Sequence, residues 1–142
     1  MAFDLELEFV LSGKPKRVME LLTDPALIRK WSGSDAVVEN RVGGSFAMFD
    51  GWVTGKVLKT TEHELAYTWK EEHWPAASQV YYVLKPDEAG TKVILRHTGL
   101  PNEAEVKNHK SGWADYVFDP LEDFILIIDR ADERFGLSLI HI

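Results

Sequence analysis

The chain has 142 residues, 45% of them hydrophobic and 27% charged, and it contains no cysteine. A length of this order fits one domain, which buries about 70% of its unfolded surface without staples. Zero cysteines exclude disulfides, thiolate zinc sites, iron–sulfur clusters and cysteine nucleophiles, and a formal charge of −7 opposes nucleic acid as a partner.

The amino terminus has neither a basic n-region nor an unbroken apolar stretch, so no signal or transit peptide is read there. No window reaches the ~18–20 apolar residues of a membrane span, and the expectation is a cytoplasmic protein. Phe3, Leu5, Leu7, Phe9 and Leu11 alternate with Asp4, Glu6 and Glu8, the period of a half-buried strand. Pro15 suits a first helical turn, and Val18, Leu21 and Leu22 follow at helical spacing. Asp24 and Pro25 then open a second short helix carrying Leu27, Ile28 and Trp31 on one side.

From Ser34 to Gly99, turn residues at Gly43-Gly44, Asp50-Gly51, Glu62-His63, Pro75 and Pro86 to Gly90 separate alternating runs, which predicts an antiparallel meander. Its inward sets are Phe46 and Met48; Val53, Gly55 and Val57; Leu65, Tyr67 and Trp69; Val80, Tyr82 and Leu84; Val93, Leu95 and His97. The cover for these faces is a long terminal helix, opened by a capping box of Asn102 with Glu105. Its apolar stripe is Trp113, Val117, Leu121, Phe124 and Ile128 with Tyr116 beside it, Gly112 permits close approach to the sheet, and Pro120 predicts a kink. Asp115, Asp119, Glu122 and Asp123 are expected on the solvated face.

Several fragments in order carry a family resemblance: Pro15-Lys16-Arg17-Val18, Thr23-Asp24-Pro25 followed by Trp31, Gly43-Gly44-Ser45-Phe46, Gly55-Lys56-Val57, Leu65 to Trp69, Gly90-Thr91, His97 to Leu100, and Gly112-Trp113. Together they resemble the activator of heat shock protein 90 ATPase homologue-like family of the START-related superfamily, over about residues 15–125. The resemblance implies an α+β helix-grip fold, similar to birch-pollen allergens, in which a curved antiparallel sheet wraps a long C-terminal helix and two short helices follow strand one. It also implies a cavity between sheet and helix, and a setting in the stress response with a chaperone as a possible partner. Eukaryotic activators carry a separate chaperone-binding domain before this module, for which 142 residues leave no space, so direct ATPase activation is not expected. Residues 1–142 are read as one domain, with 126–142 as an apolar tail.

The candidate cavity residues are Trp31, Phe46, Met48, Tyr67, Trp69, Tyr82, His97, Trp113, Tyr116, Val117, Leu121 and Phe124. Aromatics with a polar tip supply area and orientation together, which suits an apolar or aromatic small molecule. His97, Tyr67 and Tyr82 each need a partner on an inward face, and a cyclase or hydratase using such a Tyr or His is the enzymatic alternative. A chaperone-associated interaction protein is a third reading. No Gly-x-Ser-x-Gly occurs, and no cofactor is expected. His63, His73, His109 and His141 lack metal spacing, Glu71-Glu72-His73 reads as a solvated strand end, and His109 with Trp113 as a packing pair, so no metal is expected. Leu126 and Ile127 with the run from Leu137 to Ile142 need a cover, either a fold-back of the tail or a second subunit in a homodimer.

Overall fold

The computed structural model describes residues 3–135 and the side chains through residue 131; the apolar run from Leu137 to Ile142 lies outside the described residues. Alternation in the first segment becomes β1 (Leu5–Leu11), with Leu5 and Leu11 buried and Glu6 and Glu8 exposed. The chain then enters α1 (Pro15–Thr23) and α2 (Pro25–Ser32). Asp24 ends the first and caps the second, its carboxylate accepting from the Ala26 N–H at 2.9 Å. The Trp31 indole donates to the Leu21 carbonyl at 2.8 Å, which locks α2 onto α1.

Strands β2 (Val37–Val38), β3 (Ser45–Met48), β4 (Val53–Thr60), β5 (Glu64–Glu71), β6 (Ser78–Asp87) and β7 (Gly90–Thr98) follow. They join β1 in one antiparallel sheet ordered β1-β7-β6-β5-β4-β3-β2. Every residue expected to face inward on β3 to β7 is buried except Gly55, which is half-buried. A Cβ at Gly55 would collide with the Thr68 carbonyl on β5, so the close approach of these strands requires glycine there. Two positions farther along, the β4–β5 register slips between Val57 and Lys59, an irregularity that helps curl the sheet.

The covering helix runs as α3 (Glu103–Trp113), a π-helical turn (Ala114–Phe118) and α4 (Asp119–Phe135). The irregularity therefore precedes Pro120. Proline has no N–H and clashes with the carbonyl four residues back, and the wider π turn, closed by the Asp119 N–H on the Ala114 carbonyl, accommodates it. The extra residue in that turn also shifts the phase of the stripe. Trp113, Val117, Leu121 and Ile128 are buried as expected, but Phe118 and Ile125 join them, Phe124 is only half-buried, and Tyr116 is 68% exposed.

Three further expectations are corrected. Asn102 accepts from the Glu105 N–H at 2.9 Å, but the Glu105 carboxylate accepts from the Trp74 indole at 2.7 Å, so only half of the capping box forms. Glu122 is half-buried rather than on the solvated face; it accepts from the Ser12 N–H and hydroxyl at 2.9 and 2.5 Å, tying α4 to the junction between β1 and α1. Gly112 makes no close approach, because a Cβ there would meet only the Tyr116 ring, at 4.0 Å.

Candidate functional site

A pocket of about 470 Å³ opens where the β3–β4 turn, the end of β5 and the terminal helix converge. Its walls are the rings of Phe49, Trp52, Trp69, Trp113 and Tyr116, with Val53 and Val117; its polar end is Glu71, Glu105, Asn108 and His109; and Gly112 contributes no side chain. Phe49 and Asp50 both adopt positive φ, 54° and 60°. Such a conformation is uncommon for a bulky residue, costs on the order of 1–3 kcal/mol, and persists only where the surroundings impose it. Here the Asp50 N–H donates to the Asp35 carbonyl at 3.1 Å, the Asp35 N–H to the Asp50 carboxylate at 2.7 Å, and the Trp52 N–H to the Phe49 carbonyl at 3.1 Å. The pinned turn holds two aromatic rings over the pocket.

The polar end is built across the two halves of the chain. On the helix, His109 Nδ1 lies 2.8 Å from the Glu105 carbonyl, which can only accept, so Nδ1 donates. Nε2 lies 2.5 Å from Oε2 of Glu71 on β5. Both nitrogens thus face acceptors, and the arrangement is an imidazolium on a carboxylate. Burial pulls the His109 pKa down, but the bonds to Glu71 and the Glu105 carbonyl, with the charges of both glutamates, outweigh it and hold it above the usual histidine value. For Glu71 burial pulls upward, yet the bonds from His109, from Trp69 (3.0 Å) and from Trp52 hold it below the usual carboxylate range. Glu105 accepts from the Trp74 indole and, at 3.1 Å, from the Asn108 amide.

Deeper in the core the polar groups close on one another. The Trp113 indole donates to His97 Nδ1 at 3.2 Å, which leaves the proton on Nε2 to donate to Ser78 Oγ at 2.8 Å, and that hydroxyl donates to the Trp69 carbonyl at 2.6 Å. Burial, then the charge on His109, drive the His97 pKa down to about 3, against a smaller opposite pull from Glu71. His97 is a neutral structural histidine with no spare nitrogen. Tyr67 and Tyr82 hydrogen-bond through their hydroxyls. Burial lifts both phenols above their ordinary range; the bond from Tyr82 partly opposes this at Tyr67, while the Tyr67 charge and bond add to it at Tyr82.

The twelve candidate cavity residues therefore divide. Trp69, Trp113, Tyr116 and Val117 line the pocket. Phe46 stacks on Tyr67 at 3.8 Å, and with Met48, Tyr82, His97 and Leu121 these fill the core. Trp31 packs between the short helices, and Phe124 lies against the core beyond the pocket. Sequence reading missed Phe49, Trp52, Trp74, Glu71 and Glu105. Glu71 is a half-buried acceptor rather than part of a solvated strand end, and His109 pairs with it and packs on Trp74 at 5.4 Å. The available signal was the Glu105-x-x-x-His109 spacing, which sets both residues on one helical face. Among the described residues, Glu71, Glu105 and His109 could also hold a metal ion, with ligand atoms within 4.8 Å of one another, and the same three groups take part in the hydrogen bonds above. The arrangement can enclose an apolar body and meet its polar end with carboxylates and one imidazolium.

The family described as Activator of Hsp90 ATPase homolog 1-like protein matches residues 12–125. The Activator of 90 kDa heat shock protein ATPase homolog 2 of Mus musculus is 28% identical over 126 residues, 85% of this chain and 37% of that protein. A protein from Mesorhizobium loti superposes with a TM-score of 0.76 at 27% identity, over 91% of this chain and 98% of its own. An HSP90 activator from Plasmodium falciparum superposes with a TM-score of 0.74 at 26% identity, over 88% and 96%. The chain spans about a third of the length of the curated relatives it matches.

Proposed function

The chain belongs to the family of Activator of Hsp90 ATPase homolog 1-like proteins, and from that premise we propose that it binds a small molecule with an apolar or aromatic body, without catalysing its conversion. The observation that carries the reading is the pocket of about 470 Å³, walled by five aromatic rings and ending in a few converging polar groups. That size and composition match the usual small-molecule site of roughly 300–1,000 Å³. The non-catalytic part rests on His97, Tyr67 and Tyr82, which are closed in buried hydrogen bonds and lie off the pocket wall. A native mass spectrum of freshly purified protein tests the proposal: a copurified adduct lost from Gly112→Leu supports it. An unliganded spectrum, together with failure of apolar fluorescent probes to bind the folded chain, overturns it.

A second reading, association with a chaperone, is favoured by the Plasmodium falciparum HSP90 activator, which this chain matches over 96% of that protein's resolved length. Pull-down with purified 90-kDa chaperone, compared between the wild-type chain and a variant reversed in surface charge, tests it. A homodimer remains part of the proposal because Leu126 and Ile127 are 45% and 61% exposed on α4. Light scattering checks this: a monomer at every concentration removes the dimer. Among the described residues no helix is long and apolar enough to cross a membrane, and we place the protein in the cytoplasm on the sequence expectation alone.

A further inference from the structure

The charges at the polar end of the pocket do not cancel. His109 is spent on Glu71, and two carboxylates against one imidazolium leave a net negative charge where the aromatic walls close. Among the described residues Glu105 accepts hydrogen bonds only from neutral donors, the Trp74 indole and the Asn108 amide, and it shares the charge of His109 with Glu71. Among the described residues no lysine or arginine forms an ion pair with Glu105 or Glu71. A carboxylate offers about four lone-pair positions, so Glu105 retains acceptor capacity at the pocket. The surroundings add to this. Trp52 is 41% exposed and Tyr116 68% exposed at the mouth, and the faces of such rings attract cations. The chain as a whole, at −7, attracts cations and repels anions on approach.

We propose that the pocket is selective for cationic ligands, taking an organic ammonium group, a protonated amine or a quaternary ammonium, carried on an apolar or aromatic body. The ammonium sits at Glu105 beside the Glu71–His109 pair, and the body lies between Trp69, Trp113 and the rings at the mouth. An anionic ligand of the same shape would meet two carboxylates with no cation left to neutralise it. A neutral one would bury its body and meet Glu105 at best with an uncharged donor, without the charge-assisted contact. The inference rests on the pocket being the binding site proposed above.

The test uses the full chain and three probes of nearly equal size: tryptamine, the neutral indole-3-acetamide, and indole-3-propionate, with binding read by calorimetry at low salt. Tryptamine should bind at least about tenfold tighter than the amide, a preference expected from one charge-assisted contact with cation–π support, and the propionate should bind weakest. Glu105→Gln should sharply lower the ratio of tryptamine to amide affinity, whatever it does to the amide alone, and Gly112→Leu should weaken all three. Circular dichroism confirms that each variant is folded. Equal or tighter binding of the amide or the propionate overturns the cation selectivity and leaves the pocket reading standing. Binding of all three that Gly112→Leu leaves undiminished, or no binding of any, overturns the pocket reading and this inference with it.

Discussion

Replacement of Gly112 is the most informative perturbation, because stability and binding should move in opposite directions. Gly112 lies inside α3 without a positive φ, and an added Cβ meets only Cδ2 of Tyr116 at 4.0 Å, an ordinary contact. Glycine in a helix interior costs about 0.8–1 kcal/mol relative to alanine, so Gly112→Ala should stabilise the fold by about 0.5–1 kcal/mol. For a chain of this size that raises the melting temperature by roughly 2–4 °C. Gly112→Leu should keep most of the gain, since leucine is a good helix former, while its side chain occupies part of the pocket that Gly112 lines. Thermal melts and probe titrations on the same samples read both effects. A loss of more than about 1 kcal/mol in Gly112→Ala would mean that the helix does approach the sheet closely at this residue, as its sequence suggested, and would refute the geometry used here.

Trp113→Ala should cost about 3–5 kcal/mol in denaturant titration, because the indole is 2% exposed, sits 4.8 Å from the Trp69 ring and donates to His97; a loss below about 1 kcal/mol refutes its burial. Tyr67→Phe and Tyr82→Phe should each destabilise by about 1–3 kcal/mol through the hydroxyl left alone, while the double variant should cost less than the sum of the two, a coupling that a double-mutant cycle measures. The pH dependence isolates His97. The unfolded histidine takes up a proton below 6.5 whereas the folded one stays neutral to about 3, so its contribution is complete above pH 6.5 and falls as pH drops. His109, with its raised value, contributes fully below 6.5 and loses that contribution only at higher pH, and Glu71 matters only near and below 4.5. Between pH 6.5 and 5, stability should therefore fall by about 1.5 kcal/mol, and His97→Gln should flatten the slope; an unchanged slope in that variant refutes a neutral, buried His97.

The strands were legible because burial on one face of a sheet imposes a period of two, and Leu65, Tyr67 and Trp69 carry that period whatever lies across from them. The helix stripe was less legible, since the π turn before Pro120 changes the phase after the residues that define it, and so exchanged Tyr116 and Phe124 for Phe118 and Ile125. The Glu71–His109 pair joins residues 38 apart, and no local pattern encodes which carboxylate meets which imidazole. The same limit explains why Tyr67, Tyr82 and His97, expected to line a cavity between sheet and helix, lie in the core off the pocket wall. An inward polar aromatic can be read from alternation, but whether space remains beside it depends on how its neighbours pack. Phe46 stacks on Tyr67, Tyr67 meets Tyr82 at 5.6 Å, and His97 bridges Ser78 and Trp113, so these rings are spent on one another. Space survives where a side chain is missing, at Gly112, where the helix widens into its π turn, and where a strained turn at Phe49 holds rings outward from the sheet. The pocket is made by a missing side chain, a widened helical turn and a strained loop, and their convergence at one end of the sheet is a property of the fold alone.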